Sequence, residues 1–212
     1  REEAFIDFQI EEMFPLVAQQ KLAEAVDIFC EKNVFTIEQS RRYLTAAREQ
    51  GFQLKIHADE IVPQGGAELA AKLGCLSADH LLQASDEGIH ALAAAGTVAT
   101  LLPLTAFSLR EEYARARKMI DAGCIVALAT DLNPGSAFSS SVPMLFALAC
   151  IYMKMTPEEA VTAFTLNSAA ALGRADRIGS IDIGKQGDLI LLQFPSYKFL
   201  PYHVGMNIVE RV

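Results

Sequence analysis

The sequence predicts an α/β fold built on a parallel, barrel-type sheet and followed by a small β-rich tail. Three observations predict it. Short apolar runs alternate with stretches of helical period through most of the 212 residues, and that alternation implies right-handed crossovers and parallel pairing. Four polar groups, His57-Ala-Asp-Glu60, Asp79-His80, Thr130-Asp131 and Asn133-Pro-Gly-Ser136, stand at or just after the ends of apolar runs. A parallel β/α barrel collects its reactive residues at that end of its strands. From Ile178 onward the pattern becomes an alternation punctuated by Gly179, Gly184 and Gly187, antiparallel in character.

Each element has its own signal. Residues 10–20 read as a helix and Ala25–Cys30 as a strand. Thr36 opens a helix with a T-x-x-Q capping box to Gln39; Ile37, Leu44 and Ala47 form its apolar face, and Gly51 stops it. Strand 54–56, helix 67–73 and strand 76–80 follow. Ser85 caps a helix that runs to Ala95 and ends at Gly96. Residues 97–102 are a β-rich run, 111–122 a helix with Tyr113, Ala116 and Ile120 inward, and 125–130 the next strand. Residues 142–153 are helical. Thr156-Pro157-Glu158-Glu159 places Thr at the N-cap, Pro at N1 and Glu at N3, a strong helix start. Residues 188–194 read as a strand.

Five strand–helix steps are too few to close an eight-stranded barrel, which takes about 250 residues. The expected organisation is therefore a partial (β/α) barrel over residues 1–177 and a segment of a small β-domain over 178–212. The missing strands are expected before Arg1, because the opening residues carry no start signal.

Composition narrows the function. The chain is 51% apolar with a net charge of −8 and a pI near 5.0, and no Lys/Arg cluster resembles a phosphate-tracking patch, which argues against nucleic acid as a partner. No stretch of about 18 apolar residues is present to span a membrane, and no signal peptide opens the chain. Cys30, Cys75, Cys124 and Cys150 lie far apart with no C-x-x-C pair, the usage of a cytosolic protein with reduced, mostly buried thiols. No Walker, G-x-S-x-G or dinucleotide fingerprint appears.

The strand-end residues carry the chemistry. Two imidazoles and two or three carboxylates gathered at one face suit a divalent metal with an open coordination position. His57 precedes two acids, and a second histidine, His80, ends the next strand 23 positions later. Asp131 comes after six residues of buried strand, where an acid is costly unless paired or metal-bound. Each has a plainer alternative: a hydrogen-bonded core histidine at 57 or 80, a turn or N-cap carboxylate at 131. Asn133-Pro134-Gly135-Ser136 is a rigid turn able to cradle a small polar ligand, and equally an ordinary turn. Asp59 and Asp79 read as supports, Gly65-Gly66 as a loop-to-helix hinge, His90 as solvent-facing and His203 as structural.

The segments KIHADE, GGAELA, SADHL, SDEGI, ATLLP, YARARKMID, LATDLNPGS and PYHVG resemble the imidazolonepropionases, a family of the amidohydrolase superfamily. The resemblance runs over essentially the whole chain, and HADE, SADHL and ATDLNPGS together are its specific part. It implies a metal-dependent TIM-type (β/α)8 barrel with a small β-sandwich beside it. The implied reaction is hydrolytic opening of 4-imidazolone-5-propanoate to N-formimino-L-glutamate, in cytoplasmic histidine degradation. It assigns His57 and Asp131 as ligands to one Zn or Fe ion. It assigns His80 to the attacking water, Glu60 to the substrate ring and its proton, and Asn133, Gly135 and Ser136 to substrate or product. Asp131 joins Glu60 and His80 in the catalytic set. The family's first-strand His-x-His ligand pair has no counterpart, so the resemblance is to the C-terminal half, expected to be inactive alone. A homodimer is also implied. Two alternatives remain: another cyclic amidohydrolase, such as a guanine or cytosine deaminase, and a non-catalytic barrel module.

Overall fold

The computed structural model describes residues 1–212, which divide into two compact units, Arg1–Ala99 and Thr100–Val212. The first unit opens on one continuous helical stretch, α1 (Glu2–Phe8) and α2 (Phe14–Gln20), joined by a π-helical turn over Gln9–Met13. It begins earlier than the expected residue 10. Pro15 has no N–H to return to the preceding turn, and the widened turn lies directly before it.

Strands and helices then alternate as expected: β1 (Ala25–Cys30), α3 (Ile37–Glu49), β2 (Gln53–Ala58), α4 (Gly66–Leu73), β3 (Ser77–His80), α5 (Asp86–Ala95) and β4 (Val98–Leu101). Local chemistry sets the boundaries. Thr36 and Gln39 form the reciprocal capping box, and Ser85 accepts the Gly88 N–H at 2.8 Å. Gly74 and Gly96 close α4 and α5 in the left-handed conformation that glycine tolerates.

β1 pairs with β2 and β2 with β3, all parallel. Ile28 stands opposite Ile56, and Ile56 opposite Ala78; all three are at most 5% exposed. Side chains alternate across a strand, so the other face carries the rows Asp27–Lys55–Ser77 and Phe29–His57–Asp79. β2 is longer than the expected 54–56. His57 therefore lies within the strand on its polar face, rather than after it. Lys55 Nζ bonds the Ser77 hydroxyl, and Ser77 Oγ donates to Asp79 Oδ1 at 2.7 Å. Burial pushes the Asp79 carboxyl above its ordinary range, against the opposing pull of Lys55 and Ser77.

In the second unit, β4 is followed by α6 (Pro103–Leu109), α7 (Ala116–Asp121) and β5 (Val126–Leu128). The Ala129 N–H donates to Leu101 O at 3.2 Å, and the strand order is β1-β2-β3-β4-β5. The expected helix 111–122 is corrected. Pro103 starts a separate helix at the first-turn position it favours, Arg110 ends that helix in left-handed backbone, and only residues 116–121 continue as α7.

Next come α8 (Val142–Ile151), α9 (Pro157–Thr162), a π-helical turn over Ala163–Asn167 and α10 (Ser168–Ala171). The Thr156/Glu159 capping box is formed. The tail holds β6 (Leu191–Leu192), α11 (Phe199–Tyr202) and β7 (Val209–Arg211). β6 and β7 pair antiparallel, but the strand expected over 188–194 is reduced to two residues. All four cysteines are free thiols. Burial raises Cys30 and pushes Cys75 up to about 12, so both stay protonated and unreactive. No helix is long and apolar enough to cross a membrane.

Candidate active site

In the first unit, β2 and β3 bring His57, His80 and Glu60 together. The His57 and His80 rings lie 5.1 Å apart. Strict alternation would not put them there, because His57 is in register with Asp79 and His80 with Ala58. The exception has a visible cause. His80 has φ +74° and Leu81 φ +61°, a left-handed conformation that costs a non-glycine residue about 1–3 kcal/mol. That backbone turns the strand end, and the His80 side chain leaves the alternation. His80 is 3% exposed, and its Nδ1 is 3.3 Å from Glu60 Oε1.

His57 Nδ1 lies 2.7 Å from Asp27 Oδ2, and its ring meets Phe29 edge-on with centroids 5.5 Å apart. A carboxylate on one ring nitrogen fixes the tautomer and orientation of a histidine whose other nitrogen binds a metal. Asp27 escaped the sequence reading. Its signal was there in the acid that interrupts the apolar strand AVDIFC, but the pairing to β2 is not local.

The loop after β2 is held by two buried acids. Asp59, 1% exposed and at φ +51°, accepts the N–H groups of Gln64, Gly65 and Gly66 on Oδ1 and of Ala67 on Oδ2, at 2.8–3.1 Å. The start of α4 thus receives an anion from its own chain, which bears out the supporting role expected of Asp59. Gly66 allows the close approach this turn needs, since a Cβ there would lie 2.8 Å from Ala58 Cβ. Glu31, also 1% exposed, accepts from Glu60, Ile61 and Val62. It stands directly after the apolar run of β1, the same kind of position that marks Asp131 in the sequence.

In the second unit, Asp131 lies beyond the end of β5 at φ +51°, not at the last residue of a strand. Its Oδ2 accepts the Thr105 hydroxyl at 2.5 Å. Asn133 Nδ2 donates to Asp131 O at 2.9 Å and to Ser136 Oγ at 3.0 Å. Asn133 Oδ1 accepts the N–H groups of Gly135 and Ser136 at 2.8 and 2.9 Å. The Asn-Pro-Gly-Ser turn is therefore self-braced by one amide side chain. His90 is exposed. His203 Nδ1 is 3.1 Å from Phe199 O, and its ring stacks on Phe194; both fit the minor roles expected.

No group of three or more His, Cys, Asp and Glu side chains is placed to hold a metal ion. The donor types nonetheless suit one: an imidazole braced by a carboxylate at His57, with a second imidazole and an acid beside it.

A family model described as Amidohydrolase family matches residues 31–207. The chain is 68% identical over all 212 residues to the imidazolonepropionase of Parabacteroides distasonis, covering 51% of that protein. It is 62% identical over 212 residues to the imidazolonepropionase of Clostridium tetani, again covering 51% of it. The chain thus spans about half the length of the curated relatives it matches. Among solved structures it superposes on an adenosine deaminase from Xanthomonas campestris with bound zinc, at a TM-score of 0.77 and 22% identity. That match covers 93% of this chain and 53% of that one. It also superposes on a zinc-complexed atrazine chlorohydrolase mutant from Arthrobacter aurescens, at a TM-score of 0.74 and 18% identity, covering 92% and 51%. At such identities the two superpositions speak for the fold alone.

Proposed function

Because this chain belongs to the amidohydrolase family, we propose that the protein containing it hydrolyses the imidazolone ring of 4-imidazolone-5-propanoate to N-formimino-L-glutamate. One observation carries the reading: His57, His80 and Glu60 crowd together at the strand ends, in a chain 68% identical over its whole length to a protein named for this substrate.

His57 and Asp131 are the proposed ligands from this chain to one Zn or Fe ion. When bound, such an ion lowers the pKa of a coordinated water to about 7 and polarises the carbonyl under attack. His80 orients the attacking oxygen. Glu60 contacts the ring and hands a proton to the ring nitrogen as its bond to the carbonyl carbon breaks, a role worth about 10²–10⁴-fold. The carbonyl carbon becomes a carboxylate, and the released nitrogen stays on the formimino group. Asn133, Gly135 and Ser136 hold the substrate or product. The barrel domain over 1–177, the β-domain over 178–212, a homodimer and a cytoplasmic location complete the proposal.

The test uses the full-length natural protein. It should consume imidazolone propanoate and yield N-formimino-glutamate without ammonia. Ammonia release would point to a deaminase instead. His57→Ala and Asp131→Ala should each lose tight metal binding by elemental analysis. Full metal content in either variant would overturn its assignment as a ligand. Turnover by residues 1–212 alone would refute the expectation that this half is inactive.

A further inference from the structure

We propose that Glu31 is the positioning residue for Glu60: it holds the loop that presents the proton-transferring carboxylate, and so sets the rate of ring opening without touching substrate. This rests on the proton-transfer reading of Glu60 given above.

The geometry is specific. Glu31 Oε2 accepts the N–H of Glu60 at 2.9 Å and of Ile61 at 3.0 Å, while Oε1 accepts Val62 N–H at 3.3 Å and Lys32 N–H at 2.8 Å. Three successive backbone N–H groups converging on one anion form a nest, an arrangement proteins otherwise use to bind phosphate or other small anions. Here the anion comes from the end of the neighbouring strand. It is itself anchored: Glu31 N–H donates to Phe35 O at 3.1 Å, and Glu31 O accepts Val34 N–H at 3.0 Å. Hydrogen bonds to an ionised acceptor are shorter and about twice as strong as neutral ones.

Such an investment is unusual for a surface loop. Ile61 is 60% exposed, yet its N–H bonds inward to the carboxylate of a residue only 1% exposed. On the far side, Asp59 grips the amides of residues 64–67. Residues 60–62 are thus clamped between two buried carboxylates, and the Glu60 side chain emerges from the clamp 3.3 Å from His80 Nδ1. Catalytic groups must be held within about 0.5 Å of their productive position, and a misplacement of about 1 Å can cost about 100-fold in rate.

The experiment compares Glu31→Gln, Glu60→Gln and the double variant in the full-length, metal-loaded enzyme. Glu31→Gln keeps the shape but loses the charge and one acceptor. Expected are unchanged metal content, accelerated hydrogen exchange at the amides of 60–62, a fall in kcat of about 10- to 100-fold, and no further loss when added to Glu60→Gln. Glu31→Asp retracts the carboxylate by one methylene and carries the same expectation for kcat and exchange should the Gln variant not fold. A kcat within twofold of the parent, or a Glu31→Gln loss that multiplies fully onto Glu60→Gln, overturns the proposal. A parent enzyme that does not open the ring overturns the functional reading instead. An active parent with an equally active Glu31→Gln variant overturns only this inference.

Discussion

Two strand-end loops in this chain solve the same problem with different chemistry. Residues 59–67 in the first unit are gripped by the carboxylates of Asp59 and Glu31, each 1% exposed. Residues 131–136 in the second are braced by the neutral amide of Asn133, which is itself partly open to solvent. Both loops leave their strands through a left-handed aspartate, at φ +51° in each case. The difference lies in what happens when the acceptor is lost. Water can replace an amide in an open turn, whereas the donors that face Asp59 include the buried N–H groups of Gly66 and Ala67. The first loop is held by buried charge; the second is braced mainly by its own amide, with Asp131 tied to Thr105.

Stability measurements test that contrast. The largest effect is expected from Asp59→Ala. It strands the N–H groups of Gly66 and Ala67, both buried, and a buried donor left unsatisfied costs about 1–3 kcal/mol. A loss of about 3 kcal/mol in a urea titration is expected, and a loss below about 1 kcal/mol would show that water reaches this turn as easily as the other. Gly66→Ala probes the same loop by volume. Its added methyl would sit 2.8 Å from Ala58 Cβ and 3.1 Å from Ala58 Cα, and overpacking of this kind costs about 1–3 kcal/mol. Asn133→Ala should cost only about 1 kcal/mol. Equal losses for Asn133→Ala and Asp59→Ala would erase the distinction between the loops.

The sequence showed what local rules determine. β1 was readable to the residue because an apolar run stands between a polar linker and the Glu31-Lys32-Asn33 turn. The helix starts at Thr36 and Thr156 were readable because a cap and its side-chain partner lie three residues apart, and that at Ser85 because serine is a favoured N-cap. The full length of β2 was present in the alternation of Gln53, Lys55 and His57 with Leu54, Ile56 and Ala58, but the apolar core alone suggested a shorter strand.

What escaped depends on distant parts of the chain. Asp27 and Glu31 matter because β2 lies beside β1, and no spacing rule links positions 27 and 57 or 31 and 60. The turn of His80 out of the strand alternation is a backbone choice that nothing in Ser-Ala-Asp-His announces. Helix α6 was hidden because Pro103 directly follows a β-rich run, where it reads as a breaker although it is also a favoured helix opener.

The smallest effect tests whether the second unit carries any charged brace comparable to the buried acids of the first. Arg117 grips Glu159 through two parallel bonds, Nη1 to Oε2 at 2.9 Å and Nη2 to Oε1 at 3.0 Å, and Thr156 N–H adds a third at 2.8 Å. The Arg117 hydrogen bonds are the main reason that the Glu159 carboxyl sits below its ordinary value of 4.5. A carboxylate with a depressed folded value contributes stability above its unfolded pKa and loses it as the pH falls through the folded one. The parent should therefore exceed Glu159→Gln in stability by a constant margin above about pH 5. That margin should shrink steadily as the pH drops below 4.5. The pair is partly solvent-exposed, with side chains 34% and 29% accessible, so the margin should stay below about 1 kcal/mol and fall further in salt. A larger, salt-insensitive margin would mean that the second unit, too, is held by a desolvated ionic clamp, and the contrast between the two loops would then be one of position rather than of chemistry.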